Sequence, residues 1–135
     1  MTKRDITDLS YKIIGHAITV HKILGPGLLE SVYEQCLRYE LENNGYFIKQ
    51  QLIVPVRYGN LEFNTKLKID LLVNDLIILE LKATEKLLPI HEAQLITYMK
   101  LLKCPQGLLI NFNSLNLTSS LKPFVNEYFK KLKEF

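Results

Sequence analysis

The side chains best placed to do chemistry in this chain are Asp70, Glu80 and Lys82, which lie in two runs dominated by apolar residues, Lys66–Val73 and Ile77–Ala83. Charged groups are depleted from buried strands, because taking an unpaired charge out of water costs at least several kcal/mol. Asn74 and Asp75 are turn formers, so the two runs should make a β-hairpin. A two-residue loop would pair Val73 with Leu76 and send Asp70 and Glu80 to opposite faces. A three-residue loop, Asn74-Asp75-Leu76, pairs Val73 with Ile77 and Asp70 with Glu80. Only the second sorts the pattern. Leu67, Ile69, Leu71, Val73, Ile77, Leu79 and Leu81 then share one face, and Lys66, Lys68, Asp70, Leu72, Ile78, Glu80 and Lys82 the other. Because a one-residue slip inverts every side chain of a strand, this burial pattern selects the register. Two carboxylates at opposed positions repel unless a proton or a divalent cation lies between them, and a metal ion is the natural resolution. The alternative is a solvated polar face, common in antiparallel sheets, with Glu80 and Lys82 as an ordinary exposed pair. Leu72 and Ile78 count against it, since they make that face apolar near the hairpin tip and require a cover.

The elements that must position these residues follow from periodicity and turn residues. The pattern predicts αα-βββ-α-β-α. Leu9, Ile13, Ile14, Ala17, Val20, Ile23 and Leu24 recur at helical spacing between Asp5 and Leu24, with Thr7 or Asp8 as caps, and Gly25-Pro26-Gly27 ends the helix. A second helix should run from about Leu28 to Asn43 and stop at Asn44-Gly45. Phe47 to Arg57 reads as a strand in which Pro55 marks an edge or a bulge. Gly59-Asn60 turns into the next strand, which starts near Leu61 and is expected to break before Lys66. Pro89 suits the first turn of a helix reaching about Lys103. Gly107 to Phe112 is a short apolar strand, Asn113 to Ser120 a polar loop, and Pro123 to Lys133 a last helix.

Composition sets the frame. At 135 residues, with 47% hydrophobic and 23% charged residues, the chain is expected to form one soluble domain spanning 1–135 with a substantial core. Cys36 and Cys104 are far apart and have no metal-ligand or disulfide spacing. The N-terminus lacks an apolar signal segment and no run approaches the ~20 apolar residues that cross a bilayer, so a cytoplasmic protein is expected. A net charge of +3 does not by itself argue for nucleic acid, and the basic residues are dispersed apart from Lys130, Lys131 and Lys133, read as a solvated helix face.

Two helices carry further candidates. Gly27, Glu30 and Tyr33 form a G-x-x-E-x-x-Y pattern that puts Glu30 and Tyr33 on one face. Taken alone, Glu30 is an acid favoured by the helix dipole and Tyr33 a core aromatic with its hydroxyl at the boundary. His91, Gln94 and Tyr98 share one face of the later helix and Leu95, Met99 and Leu102 another. His91 lacks a second ligand at metal spacing and reads as a surface or boundary residue.

Joined in order, the helix Gly27-x-x-Glu30-x-x-Tyr33, the strands Ile69-Asp70-Leu71-Leu72 and Glu80-Leu81-Lys82, and the helix Gln94-x-x-x-Tyr98 resemble the G-x-x-E-x-x-Y proteins of the PD-(D/E)xK nuclease superfamily over roughly residues 8 to 113. The resemblance implies an α/β fold, a restriction-endonuclease-like α-β-β-β-α-β core with a mixed sheet flanked by helices, plus extra N- and C-terminal helices. By matching position it implies that Asp70, Glu80 and the Leu81 carbonyl ligate Mg²⁺ or Mn²⁺, with Glu30 completing the site directly or through water. Oxygen-only ligands suit those ions. Lys82 would orient the attacking water, Gln94 would touch the substrate or Lys82, and Tyr98 and Tyr33 would support the substrate face. Ile69 stands where many superfamily members carry proline. Lys66 and Lys68 share the site face and are assigned to the nucleic-acid backbone, with solubilising strand lysines as the alternative. The function implied is a metal-dependent nuclease acting on DNA or, alternatively, RNA, compatible with a homodimer. The competing reading is a non-catalytic nucleic-acid-binding or interaction module that keeps the fold.

Overall fold

The computed structural model describes residues 1–135 and contains a mixed five-stranded sheet with helices on both faces. The chain order is α1 (Lys3–Leu24), α2 (Glu30–Asn43), β1 (Ile48–Tyr58), β2 (Leu61–Val73), β3 (Ile77–Lys82), α3 (Pro89–Leu101), β4 (Gln106–Asn111), a 3₁₀ turn (Leu117–Ser120), β5 (Leu121–Val125) and α4 (Glu127–Lys130). The sheet order is β1-β2-β3-β4-β5, antiparallel except for the parallel β3–β4 pair, and α3 makes the crossover that a parallel pair needs.

Burial sorts the elements into two layers against the sheet. Ile6, Ile13 and Ala17 of α1 and Tyr33, Leu37 and Leu41 of α2 pack on Leu71, Val73, Leu79 and Leu81. Leu95, Tyr98 and Met99 of α3 cover Leu72, Ile78 and Leu109 on the other side. The cover required by Leu72 and Ile78 is therefore α3. It lies very close at Gly107, where an added Cβ would sit 2.7 Å from Leu95 Cδ1 and 2.8 Å from Met99 Sδ. A larger residue there would make the Leu95 and Met99 side chains shift.

The hairpin adopts the three-residue loop, with Val73 opposite Ile77, Leu72 opposite Ile78 and Leu71 opposite Leu79. Asn74 and Asp75 take left-handed φ values of 52° and 57°, which short polar side chains tolerate. Pro55 lies on the edge strand β1 at a register shift between Ile53 and Pro55, as its missing N–H requires.

Several expectations are corrected. Helix α1 begins before Thr7 and Asp8, because Thr2 Oγ1 accepts from Asp5 N–H while Asp5 accepts from Thr2 N–H, a capping box. Strand β2 runs unbroken from Leu61. Ile69 packs with Leu72 and Ile78 on the α3 side rather than with Leu71, and Leu67 is exposed. Strict alternation fails there because the β1–β2 ladder skips Gln51 and Asp70, and Gln51 itself has a φ of 51°. The largest miss is the last helix. Residues from Leu121 to Val125 form an edge strand against β4, Leu121 and Phe124 facing opposite layers, and the helix shrinks to Glu127–Lys130. Pro123 suits an edge strand, and Asn126 starts the helix late by accepting from Tyr128 and Phe129 N–H.

Candidate active site

The β2–β3 ladder ends at Leu71 and Leu79, and at the next position side chains replace the backbone pairing. Glu80 Oε1 accepts from Asp70 N–H at 3.1 Å, and Asp70 Oδ2 accepts from Leu81 N–H at 2.8 Å. Each acid thus holds the other strand's amide. The solvated-face alternative fails, because Asp70 is only 8% and Glu80 only 7% exposed. Burial pushes Asp70 up to about 7, and the charges of Glu34 and Glu30 add to this against the Leu81 hydrogen bond. Burial and the charge of Asp70 push Glu80 up to about 8, opposed by Asp70 N–H and the positive charge of Lys82. Two carboxylates held this way share a proton near neutrality or accept a cation.

A third acid reaches the pair from α2, and it is not the one expected. Gln51 Nε2 donates to Asp70 Oδ1 at 3.3 Å and to Glu34 Oε1 and Oε2 at 2.8 and 3.0 Å, linking the two carboxylates. Gln50 Nε2 adds a 2.6 Å hydrogen bond to Glu34 Oε2, and Arg38 Nη1 in turn donates to Gln50 Oε1 at 2.6 Å. Glu34 is one helical turn past Glu30 and is buried. Glu30 is half-buried, makes no hydrogen bond, and acts on Asp70 and Glu80 through its charge alone. No third His, Cys, Asp or Glu side chain converges with Asp70 and Glu80 into a preformed ligand cluster. Sequence reasoning missed Glu34, Gln50 and Gln51. The i, i+4 spacing of Glu30 and Glu34 was the one signal for Glu34, while the glutamines gave none.

Lys82 is half-buried at the end of β3 and enters no ion pair within 4 Å. The chain around it is fixed from β4: Phe112 N–H donates to Lys82 O at 2.8 Å, and the buried Asn111 side chain bonds both Thr84 N–H and Thr84 O, at 3.1 and 2.9 Å. Tyr98 is buried above the sheet, and its hydroxyl pKa is raised by burial and then by the charges of Glu80 and Asp70, which brings it into the site. Gln94 is exposed and makes no hydrogen bond to Lys82, but it lines a shallow cleft of about 200 Å³ with Leu67, Ile90 and Tyr98. Lys66 and Lys68 are exposed on β2 and bond to none of the acids.

Tyr33 does not belong with these residues. It is fully buried, stacks on Phe112 at 4.6 Å between centroids, and its hydroxyl donates to Gly25 O at 2.5 Å and accepts from Leu28 N–H at 3.1 Å. These bonds commit it to the α1–α2 turn, where it supports the fold. His91 is also structural, since its Nδ1 accepts from Leu88 N–H at 3.1 Å at the start of α3.

The chemistry of the donor set suits a divalent cation. Asp70 and Glu80 supply carboxylate oxygens only, and Glu80 Oε2 takes no hydrogen bond from the protein. The negative charges of Glu34 and Glu30 bear on Asp70 and those of Asp70 and Glu30 on Glu80, while Lys82 offsets the charge at Glu80. A hard cation fits both the oxygen donors and the excess negative charge. A family model described as the PD-(D/E)XK nuclease superfamily matches residues 7–123. The chain belongs to the PD-(D/E)XK nuclease superfamily. No match emerged among curated proteins or among solved structures. PD-(D/E)XK nucleases generally use divalent metal ions and act on nucleic acid, and the five-stranded mixed sheet with flanking helices is consistent with their fold. No helix of this superfamily member is long and apolar enough to cross a membrane.

Proposed function

We propose that this protein is a nuclease of the G-x-x-E-x-x-Y group, hydrolysing phosphodiester bonds of DNA, with RNA as the alternative substrate, at Asp70, Glu80 and Lys82. The observation that carries the reading is the buried acid pair: Asp70 and Glu80 each bind the opposite strand's backbone, and Lys82 stands two residues further along β3. A fold that wanted only stability would place apolar residues there, since a buried pair of like charges destabilises it. Asp70, Glu80 and the Leu81 carbonyl would hold Mg²⁺ or Mn²⁺, with Glu30 or Glu34 reaching the ion through water. When bound, the ion neutralises a phosphate oxygen and makes a water molecule a better nucleophile. Lys82 orients that water and offsets charge developing on the phosphate. Tyr98 walls the site, Gln94 meets the substrate at the adjoining cleft, and Lys66 and Lys68 bind backbone phosphates outside it.

The test is cleavage of labelled single- and double-stranded DNA and RNA in Mg²⁺ and in Mn²⁺ by the wild type and by Lys82→Ala, purified identically. Cleavage by the wild type alone supports the reading. Equal cleavage by both moves the chemistry elsewhere, and cleavage by neither, with no divalent-ion binding by calorimetry, sinks it. The competing non-catalytic module draws support from one observation: no third His, Cys, Asp or Glu side chain joins the pair in a ligand cluster. Nucleic-acid binding left unchanged in the double variant Asp70→Ala, Glu80→Ala would favour that module.

A further inference from the structure

A second cleft lies where the outer half of β1 passes the end of α3 and the start of α4. It has a volume of about 470 Å³ and is lined by Pro55 and Arg57 of β1, Lys100 and Leu101 of α3, Lys103 just beyond it, and Tyr128 of α4. Three of these six residues are cations and none is an acid. A fourth cation stands behind the cleft, with Lys131 Nζ 6.0 Å from the centroid of the Tyr128 ring. Arg57 pairs with Glu62 across the hairpin at 3.2 Å, in an exposed ion pair, while Lys100 and Lys103 are exposed and enter no ion pair. Lys103 also takes a left-handed φ of 55°, a conformation that is uncommon for a non-glycine residue. Like charges gathered in a concavity repel one another and raise the local concentration of anions.

We propose that this cleft binds the sugar-phosphate backbone of the nucleic acid whose cleavage is assigned to the acids, and the proposal rests on that reading of the acids. Arginine's planar fork matches phosphate oxygens, lysines act as point charges, and a tyrosine ring offers a face to a base or sugar. The cleft is open and follows a strand, which suits a ligand that continues in both directions. Arg57 stands further out along β1 than Gln51, the residue bonded to Asp70, by ~20 Å at a strand rise of about 3.3 Å per residue. At about 3.4 Å per nucleotide, a strand cut at the acids reaches the cleft after roughly six nucleotides. The site therefore rewards length: substrates extending well past the scissile bond gain affinity that short ones do not.

The experiment compares labelled DNA of 24 and 5 nucleotides, single-stranded and, for the longer, duplex, by fluorescence anisotropy. It uses the Lys82→Ala background so that no substrate is consumed. Lys100→Glu with Lys103→Glu should weaken binding of the 24-mer by about tenfold or more and lower the dependence of log affinity on log salt by about two. The neutral pair Lys100→Gln with Lys103→Gln, which leaves less reason for misfolding, should lose a few-fold. Binding of the 5-mer should not change, nor should the rate of cleavage at saturating 5-mer when Lys82 is restored. Unchanged affinity and salt slope for the 24-mer in both variants, with Lys82→Ala binding and the wild type cleaving, overturns the cleft and leaves the nuclease reading standing. A mononucleotide bound as tightly as the 24-mer, and lost with the lysines, also overturns it by making the ligand a free nucleotide. A wild type that neither binds nor cleaves any nucleic acid removes the nuclease reading, and the cleft proposal with it.

Discussion

The two ends of the β2–β3 pair, a few residues apart, are built on opposite principles. Toward the hairpin tip, Leu71, Leu72 and Val73 face Leu79, Ile78 and Ile77 through a regular ladder and bury apolar side chains in both layers. At the other end the ladder stops, Asp70 and Glu80 hold the opposite amides with carboxylates, and both acids are buried at the cost of ionisation raised toward neutrality. The tip stabilises the sheet, and the acid end is stabilised by it. Strain and unfavourable charge placed on a well-packed support are the usual signature of a working site.

The sharpest way to break this contrast is to neutralise one acid. Asp70→Asn should lower cleavage by about 10³-fold or more, because it removes a carboxylate charge that would hold the ion. It should also raise metal-free stability at pH 8 by about 1 to 3 kcal/mol, because a buried charge is gone while the amide oxygen still accepts from Leu81 N–H. Thermal melts in EDTA beside cleavage assays would show both, and a variant that lost both stability and activity would erase the distinction. Leu79→Ala at the tip should do the reverse, costing about 2 to 5 kcal/mol in denaturant titrations while the molecules that remain folded keep their activity.

A pH series sharpens the comparison further. Both acids have folded pKa values, about 7 for Asp70 and about 8 for Glu80, above the carboxylate values near 4 of an unfolded chain. Between these limits the folded state binds more protons, so metal-free stability should be full below about pH 4, fall as pH rises to about 8, and then level off. Saturating Mn²⁺ or Mg²⁺ should flatten that fall, since the ion binds the deprotonated pair. Melting temperature against pH, with and without the ion, measures this, and a stability that rose across the same window in EDTA would contradict the buried pair. The smallest effect concerns the support beneath Tyr98. Gly107→Ala should cost about 1 to 3 kcal/mol by displacing the Leu95 and Met99 side chains, and its cleavage rate should drop only modestly, through small shifts of the neighbouring Gln94 and Tyr98.

Much of this is legible in the amino-acid sequence. The hairpin register followed from period-two alternation, because only one loop length puts Leu71, Val73, Leu79 and Leu81 on one face. Helical spacing located α1, α2 and α3, and Pro55 its edge bulge. The edge strand β5 was not legible, since Leu121 and Phe124 in a stretch broken by Pro123 show no period of their own and become a strand only when β4 offers its free edge.

Within the site, the identities of Asp70, Glu80 and Lys82 were written in the chain, because a charge inside an apolar strand is costly wherever that strand ends up buried. Which acid of α2 comes to Asp70 was not. Glu30 carries the motif, yet Glu34 shares the Gln51 amide with Asp70, and that choice depends on the packing of α2 against β1 and on the left-handed turn at Gln51. The charge pattern behaves in the same way. Arg57, Lys100, Lys103 and Tyr128 are scattered along the sequence, and only the packing of β1, α3 and α4 brings them into one cleft. Local pattern determines which face of an element is buried, because burial follows the period of the strand or helix. Distances between residues remote in sequence belong to the tertiary structure, because they are set by how those faces meet.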